Sequence, residues 1–244
     1  MSLEAGSGDP ILQARGTLVR ARMLTHPELA RRLRLMIEIG VLFLVVPVAI
    51  RYAIFQWRIP LPLLLQPALI GLIAYLLWDP TFRMRTEMRA LFPKAQLASI
   101  VGIFAVVAAV TTLYVWLEIP HRFMELPQRL PRVWVIIMIV YPVVSVIPQE
   151  LIYRTFFFHR YGPLFGEARW LMYGVNGLLF GFAHVIFGSY VSILLTAILG
   201  VLVAWRYDET RSFWAVWFEH SLYGCLVFTV GLGHYFFTGI ATLN

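Results

Sequence analysis

The chain has 244 residues, of which 60% are hydrophobic and only 14% charged, and its mean hydropathy is +0.75. A soluble domain carries about 25% charged residues, so this composition excludes one and points to an integral membrane protein. The net charge of +7 raises nucleic acid as a partner, but the cations flank apolar runs instead of forming a patch. The charge therefore reads as topological, with some attraction to anionic lipid.

Residues 1–34 are polar and basic, too long for the n-region of a secretory signal, and no small-residue cleavage site follows the first apolar run. Thr25, His26, Pro27 and Glu28 have the spacing of a capping box, with proline early in the helix. They predict a basic juxtamembrane helix over 28–34. Apolar runs follow at 35–55, 61–78, 97–117, 133–158, 170–187, 190–205 and 213–230. A helix needs about 20 residues to cross the hydrocarbon, so seven spans are expected, with 232–243 a short eighth that carries His234. The expected organisation is a cytoplasmic basic segment (1–34), N-terminal transmembrane helices (35–130) and a C-terminal transmembrane core (131–244). No linker, repeat or low-complexity segment is visible. Fifteen of the 20 Lys and Arg residues fall on the side of the N-terminus, which the positive-inside rule assigns to the cytoplasm. Cys225 is the only cysteine, so no intrachain disulfide can form and cysteine use does not reveal the compartment.

Three short polar insertions interrupt the apolar runs. In the first, Glu150 and Arg154 are four apart and share a helix face. Pro142 and Pro148 precede them, and proline frees carbonyls and kinks a helix. The fourth span is therefore expected to break near Pro148, with Gln149 and Glu150 in the first turn of its second half, where a helix N-terminus favours an anion. The alternative is a plain ion pair holding the bundle together. In the second insertion Asn176, Phe180 and His184 recur at helical spacing, and Gly177 and Gly181 form a G-x-x-x-G that lets a neighbouring helix approach closely. The alternative there is a packed aromatic stripe ending in a hydrogen-bonded histidine. In the third, His220 lies beside Glu219, which points away from the His220 face and is expected to pair elsewhere, with an arginine.

Charged groups in hydrocarbon are costly and mark function. At about 1.5 Å rise per residue, Glu150 lies roughly 15 Å inside from Arg160, His184 about 22 Å from Arg169 and His220 about 13 Å from Arg211. All three measures start from the same face. A shared level is what a site requires; structural polar residues need not share one.

In this order and spacing the three motifs resemble those of the CAAX protease and bacteriocin-processing family, also called the Abi family. Its pattern is E-E-x-x-x-R, then F-x-x-x-H, then H-x-x-x-N. The resemblance covers about residues 133–230 and implies a multi-helix intramembrane endopeptidase in which a Glu and a His activate water. Carried over, Gln149 sits at the first Glu, Glu150 at the second and Arg154 at the Arg. Phe180 and His184 match the second motif, His220 the third, and Gly224 stands where the family has Asn. Because glutamine cannot take a proton, the resemblance makes Glu150 the base. It has His184 orient water or shuttle the proton, His220 polarise the carbonyl, and the Gln149 amide add a donor to the oxyanion.

The resulting reading is an all-α polytopic transmembrane bundle of seven to eight spans with a broken helix at the polar site. The bundle holds a cavity open to the cytoplasm, and the chain lies in a bacterial inner membrane. The expected function is an intramembrane endopeptidase without cofactor, acting on a peptide or membrane-protein substrate. In a zinc-dependent version Glu150, His184 and His220 form the three-ligand set of a catalytic site, although there is no H-E-x-x-H. Gln149 and Gly224 favour a different class, a catalytically silent membrane protein acting in binding or immunity. A transporter with its site at the broken helix is a third class, but no inverted repeat is visible.

Overall fold

The computed structural model describes residues 26–59, 61–83 and 94–236, and among them the elements are helical with no strand. The chain forms two compact units, Met1–Gly40 and Val41–Asn244. In the first unit the described element is α1 (His26–Gly40), with Glu28 in its first turn, where a carboxylate suits the helix dipole. Thr25, the first residue of the expected capping box, lies outside the described residues, as does most of the expected eighth span.

The second unit opens with a π turn at Val41–Val45 and continues as α2 (Val46–Trp57), which ends at Arg58 in the left-handed region at φ 52°. Then come α3 (Leu61–Trp78), α4 (Lys94–Glu118) and the short α5 (Glu125–Arg129). The longest helix of the unit is α6 (Pro131–Phe165). It is followed by α7 (Arg169–Ala183), α8 (Tyr190–Thr210) and α9 (Phe213–Val230). Serine side chains start the last two: Ser189 accepts from the Ser192 N–H and Ser212 from the Ala215 N–H, satisfying donors that a helix start leaves open.

Five helical segments among the described residues are long and apolar enough to cross a bilayer: His26–Trp57, Lys94–Glu118, Pro131–Phe165, Arg169–Phe187 and Tyr190–Thr210. The chain is a multi-pass membrane protein. Two of the seven expected spans fall short of that measure. Leu63–Trp78 is a shorter apolar helix, and α9, 18 residues long, is diluted by Glu219, His220 and its tryptophans.

The expected break near Pro148 is absent. Instead α6 runs on through two widened π turns, Pro142–Val146 and Leu151–Phe156, either side of the α-helical Ile147–Glu150. A proline removes one i→i−4 hydrogen bond and crowds the preceding turn; an i→i+5 turn absorbs this without ending the helix. The Pro142 carbonyl takes a hydrogen bond from the Trp217 indole N–H on α9 at 2.8 Å, so the widened turn leaves no orphan there.

Two packing relationships position the polar residues. Along the α7–α8 seam, a Cβ on Gly177 would lie 2.5 Å from Val201 Cγ2 and 2.8 Å from the Ala197 carbonyl, and one on Gly200 would lie 2.8 Å from Gly177 Cα. Those helices meet backbone to backbone, the close approach that G-x-x-x-G permits. Helix α9 is the hub, packed against α4, α6 and α8.

Candidate active site

Residues 219 and 220 are neighbours on a helix and so point about 100° apart, and each finds a partner on a different helix. Glu219 Oε2 accepts from Arg206 Nε of α8 at 2.8 Å, and both side chains are fully buried. Arg206 also donates to Gln96 and, at 3.2 Å, to Ser99 of α4. This is the arginine partner the sequence calls for, and it ties three helices together.

His220 turns the other way. Its Nδ1 lies 2.7 Å from Glu150 Oε1 on α6, and its Nε2 lies 3.3 Å from the Tyr141 hydroxyl. A carboxylate accepts only, so Nδ1 carries the hydrogen and Nε2 the lone pair that accepts from Tyr141. Glu150 has no exposed surface, whereas His220 lines a cavity of about 400 Å³. Gln149, one residue before Glu150, also lines that cavity and Glu150 does not. His220 is therefore the face that this acid–imidazole pair shows to the cavity.

Arg154 fixes the second carboxylate oxygen of Glu150, with Nε 3.4 Å from Oε2 and both side chains fully buried. The contact is a charge pair without hydrogen-bond geometry, since neither atom has a hydrogen-bond partner. Two residues of α7 hold Arg154 in place. Its Nη1 donates to Asn176 Oδ1 at 2.9 Å, and its guanidinium stands 4.9 Å over the Phe180 ring. Asn176 in turn donates to the Tyr153 carbonyl at 2.7 Å. The stripe of Asn176, Phe180 and His184 is thus a seat for Arg154 at one end and a histidine at the other.

His184 lies where α7 passes into the 3-10 turn His184–Phe187. Its Nδ1 donates to the Phe180 carbonyl at 2.8 Å, which leaves Nε2 as the acceptor on a side chain that lines the same cavity. Both imidazoles stand edge-on to the Phe180 ring, at 4.9 Å for His184 and 5.5 Å for His220. Arg51 of α2 secures the turn after His184, donating to the Val185 carbonyl at 2.9 Å. Gln149 points its Nε2 at Ser145 Oγ, 2.8 Å away, and leaves Oε1 without a partner. That Oε1 is itself buried, and one N–H of the NH₂, the expected oxyanion donor, is engaged with Ser145.

The cavity walls beyond this polar end are apolar, with Val107, Leu195, Leu199, Leu202 and Val227 among them. Tyr141 and Tyr223 also line it. Sequence reasoning did not single out Tyr141; the available signal was a lone hydroxyl directly before Pro142 in an apolar run.

The residues do not fit the three-ligand zinc set. The oxygens of Glu150 face His220 and Arg154, and the Nδ1 of His184 is taken by the Phe180 carbonyl. No group of three or more His, Cys, Asp or Glu among the described residues could hold a metal ion.

Residues 131–226, the stretch carrying Gln149, Glu150, Arg154, His184 and His220, match the family model of type II CAAX prenyl endopeptidase Rce1-like proteins. No curated protein and no solved structure matches the chain.

Proposed function

With residues 131–226 matching the Rce1-like CAAX endopeptidases, we propose that the chain is an intramembrane endopeptidase in which His220, backed by Glu150, activates water. One observation carries the reading: a fully buried carboxylate 2.7 Å from an imidazole that lines a cavity. A carboxylate behind a histidine fixes the tautomer and stabilises the imidazolium, as in hydrolases that pair an acid with a histidine. Glu150 then acts through His220.

Water gives a proton to His220 Nε2 as its oxygen bonds to the peptide carbonyl carbon. The carbonyl π pair moves to oxygen. The oxyanion pair then returns to carbon, the C–N bond breaks, the amine nitrogen takes the proton from His220, and a carboxylic acid and an amine leave, the acid's proton passing to the amine. His184 Nε2, an acceptor, orients the water. Arg154 lies against the second oxygen of Glu150, and Gln149 lines the cavity beside His220. The apolar walls suit a substrate segment that arrives from a bilayer. The cation distribution supports a cytoplasmic N-terminus, and a bacterial inner membrane is the proposed location.

Gln149 and Gly224, where the family pattern has Glu and Asn, favour a second reading, a silent relative that binds a peptide or lipid in the cavity. Reconstitution in liposomes with a quenched peptide library separates the two. Cleavage by the native protein, lost in His220→Ala and His184→Ala, supports the protease. No cleavage by the native protein, with activity gained in Gln149→Glu, supports the silent relative. Loss of native cleavage on chelation would return zinc to consideration.

A further inference from the structure

The steps above leave the oxygen of the attacked carbonyl without a hydrogen-bond donor. His220 Nε2 is assigned to the water, His184 Nε2 is an acceptor, and the Gln149 amide is turned toward Ser145, to which it gives one of its two N–H groups. A tetrahedral intermediate in an apolar cavity needs such a donor, because charge there has little solvent to stabilise it.

We propose that Tyr141 is a further catalytic residue of this site, its hydroxyl donating to the oxyanion that forms on the substrate carbonyl. The proposal rests on the protease reading above. His220, Gly224 and Phe228 are spaced four apart and share one face of α9. The glycine makes a notch between two rings, and Tyr141 fills it. A Cβ on Gly224 would lie 2.2 Å from Tyr141 Cε1, 2.3 Å from its Oη and 2.4 Å from Cζ. No side chain fits at 224 while the tyrosine ring is there. The ring is held edge-on to Phe228 at 5.6 Å between centroids. The adjoining backbone is tied to α9 through the Pro142 carbonyl and Trp217.

This seat puts the hydroxyl on the cavity wall beside the proposed base. Its 3.3 Å separation from His220 Nε2 is long beside the usual 2.7–2.8 Å of an O–H donor, roughly the least binding such a contact gives. When water takes the lone pair of Nε2, the hydroxyl turns from His220 to the carbonyl oxygen. Attacking water and oxyanion bond to the same carbon, so their partners must be neighbours, and Tyr141 is the donor that neighbours His220. Tyr223, the other cavity tyrosine, has an unpartnered hydroxyl but no contact with either imidazole.

The test compares native protein, Tyr141→Phe, Gly224→Ala and the double variant in liposomes, reading kcat and KM separately on a cleaved peptide, with melting temperature alongside. Removing one oxyanion donor costs about 10²–10³-fold in kcat. Tyr141→Phe keeps the ring and is expected to show that loss, with KM and melting temperature near native. Gly224→Ala displaces the ring and lowers kcat in the same direction. The double variant is expected to be no slower than Tyr141→Phe, since Gly224 acts by seating the tyrosine. Native kcat in Tyr141→Phe, or a loss confined to KM, overturns the proposal and leaves the protease reading standing. Absence of any cleavage by the native protein overturns both.

Discussion

His220 Nδ1 meets Glu150 Oε1 at 2.7 Å across 70 positions of sequence, and the carboxylate behind it touches no part of the cavity. If Glu150 acts by orienting and charging His220, an uncharged isostere keeps the shape and loses the function. Glu150→Gln is therefore expected to lower kcat by about 10²–10⁴-fold, the span of general acid–base catalysis, with KM within a few-fold of native. Peptide cleavage in liposomes measures it; a Glu150→Gln variant that works at the native rate refutes the pairing.

The second buried pair is structural. Arg206 and Glu219 are both without exposed surface, and neither lines the cavity. Removing one partner of a buried pair strands the other charge and costs about 3–5 kcal/mol. Arg206→Met or Glu219→Leu alone is expected to lower the detergent melting temperature sharply, and the double change to recover most of it. A double variant as unstable as the sum of the singles counts against the pairing.

The glycines of α7 are not equivalent. A Cβ on Gly177 meets α8 backbone at 2.7 Å, whereas one on Gly174 meets nothing within 4 Å. Gly177→Ala is expected to destabilise by about 1–3 kcal/mol, as overpacking does. Gly174→Ala should stabilise by about 0.4–1 kcal/mol through the unfolded chain. Paired thermal melts of the two variants decide it, and equal effects would contradict the seam.

Acid should loosen the junction past the end of α3. Asp79 accepts from the Thr81 hydroxyl at 2.6 Å, the Thr81 N–H at 2.9 Å and the Tyr75 hydroxyl at 3.1 Å, and lies 3.1 Å from His159 Nε2 of α6. These hydrogen bonds, Thr81's foremost, hold its carboxyl well below the usual carboxylate range. A depressed value means the carboxylate stabilises the fold above the ordinary value near about 4, and that contribution fades as pH falls below it. Hydrogen-exchange protection at residues 75–83, taken relative to the intrinsic rate at each pH, is expected to fall below about pH 4 in the native protein. Asp79→Asn should already be less protected at neutral pH and show no such fall; an unchanged acid response in that variant removes Asp79 as the cause.

How much of this was legible in sequence depends on the range of the interaction. The i, i+4 contact of Glu150 and Arg154, the close helix approach at Gly177 and an arginine partner for Glu219 follow from helical periodicity and the cost of buried charge. Which of Gln149 and Glu150 faces the cavity does not. Adjacent residues differ by one helical rotation, and the packing of α9 against α6 decides which side is open. The π turns were hidden because Pro142 and Pro148 read equally well as a break. Tyr141 was hidden because its role depends on the notch at Gly224, 83 positions later on another helix.

The two buried ion pairs also differ in how they can reach the bilayer. Glu150 and Arg154 lie on one helix, four residues apart, so α6 can enter hydrocarbon largely self-neutralised, before Asn176 or His220 arrives from later segments. Arg206 pairs differently: although Asp208 and Glu209 follow it on α8, the carboxylate it binds is 13 residues on, in the next helix. Inserted alone, α8 would leave that guanidinium without the buried carboxylate it has in the bundle, and the arrival of α9 completes the pair. The placement of one glutamate thus separates a pair that a single helix carries within itself from a pair that two helices must meet to complete.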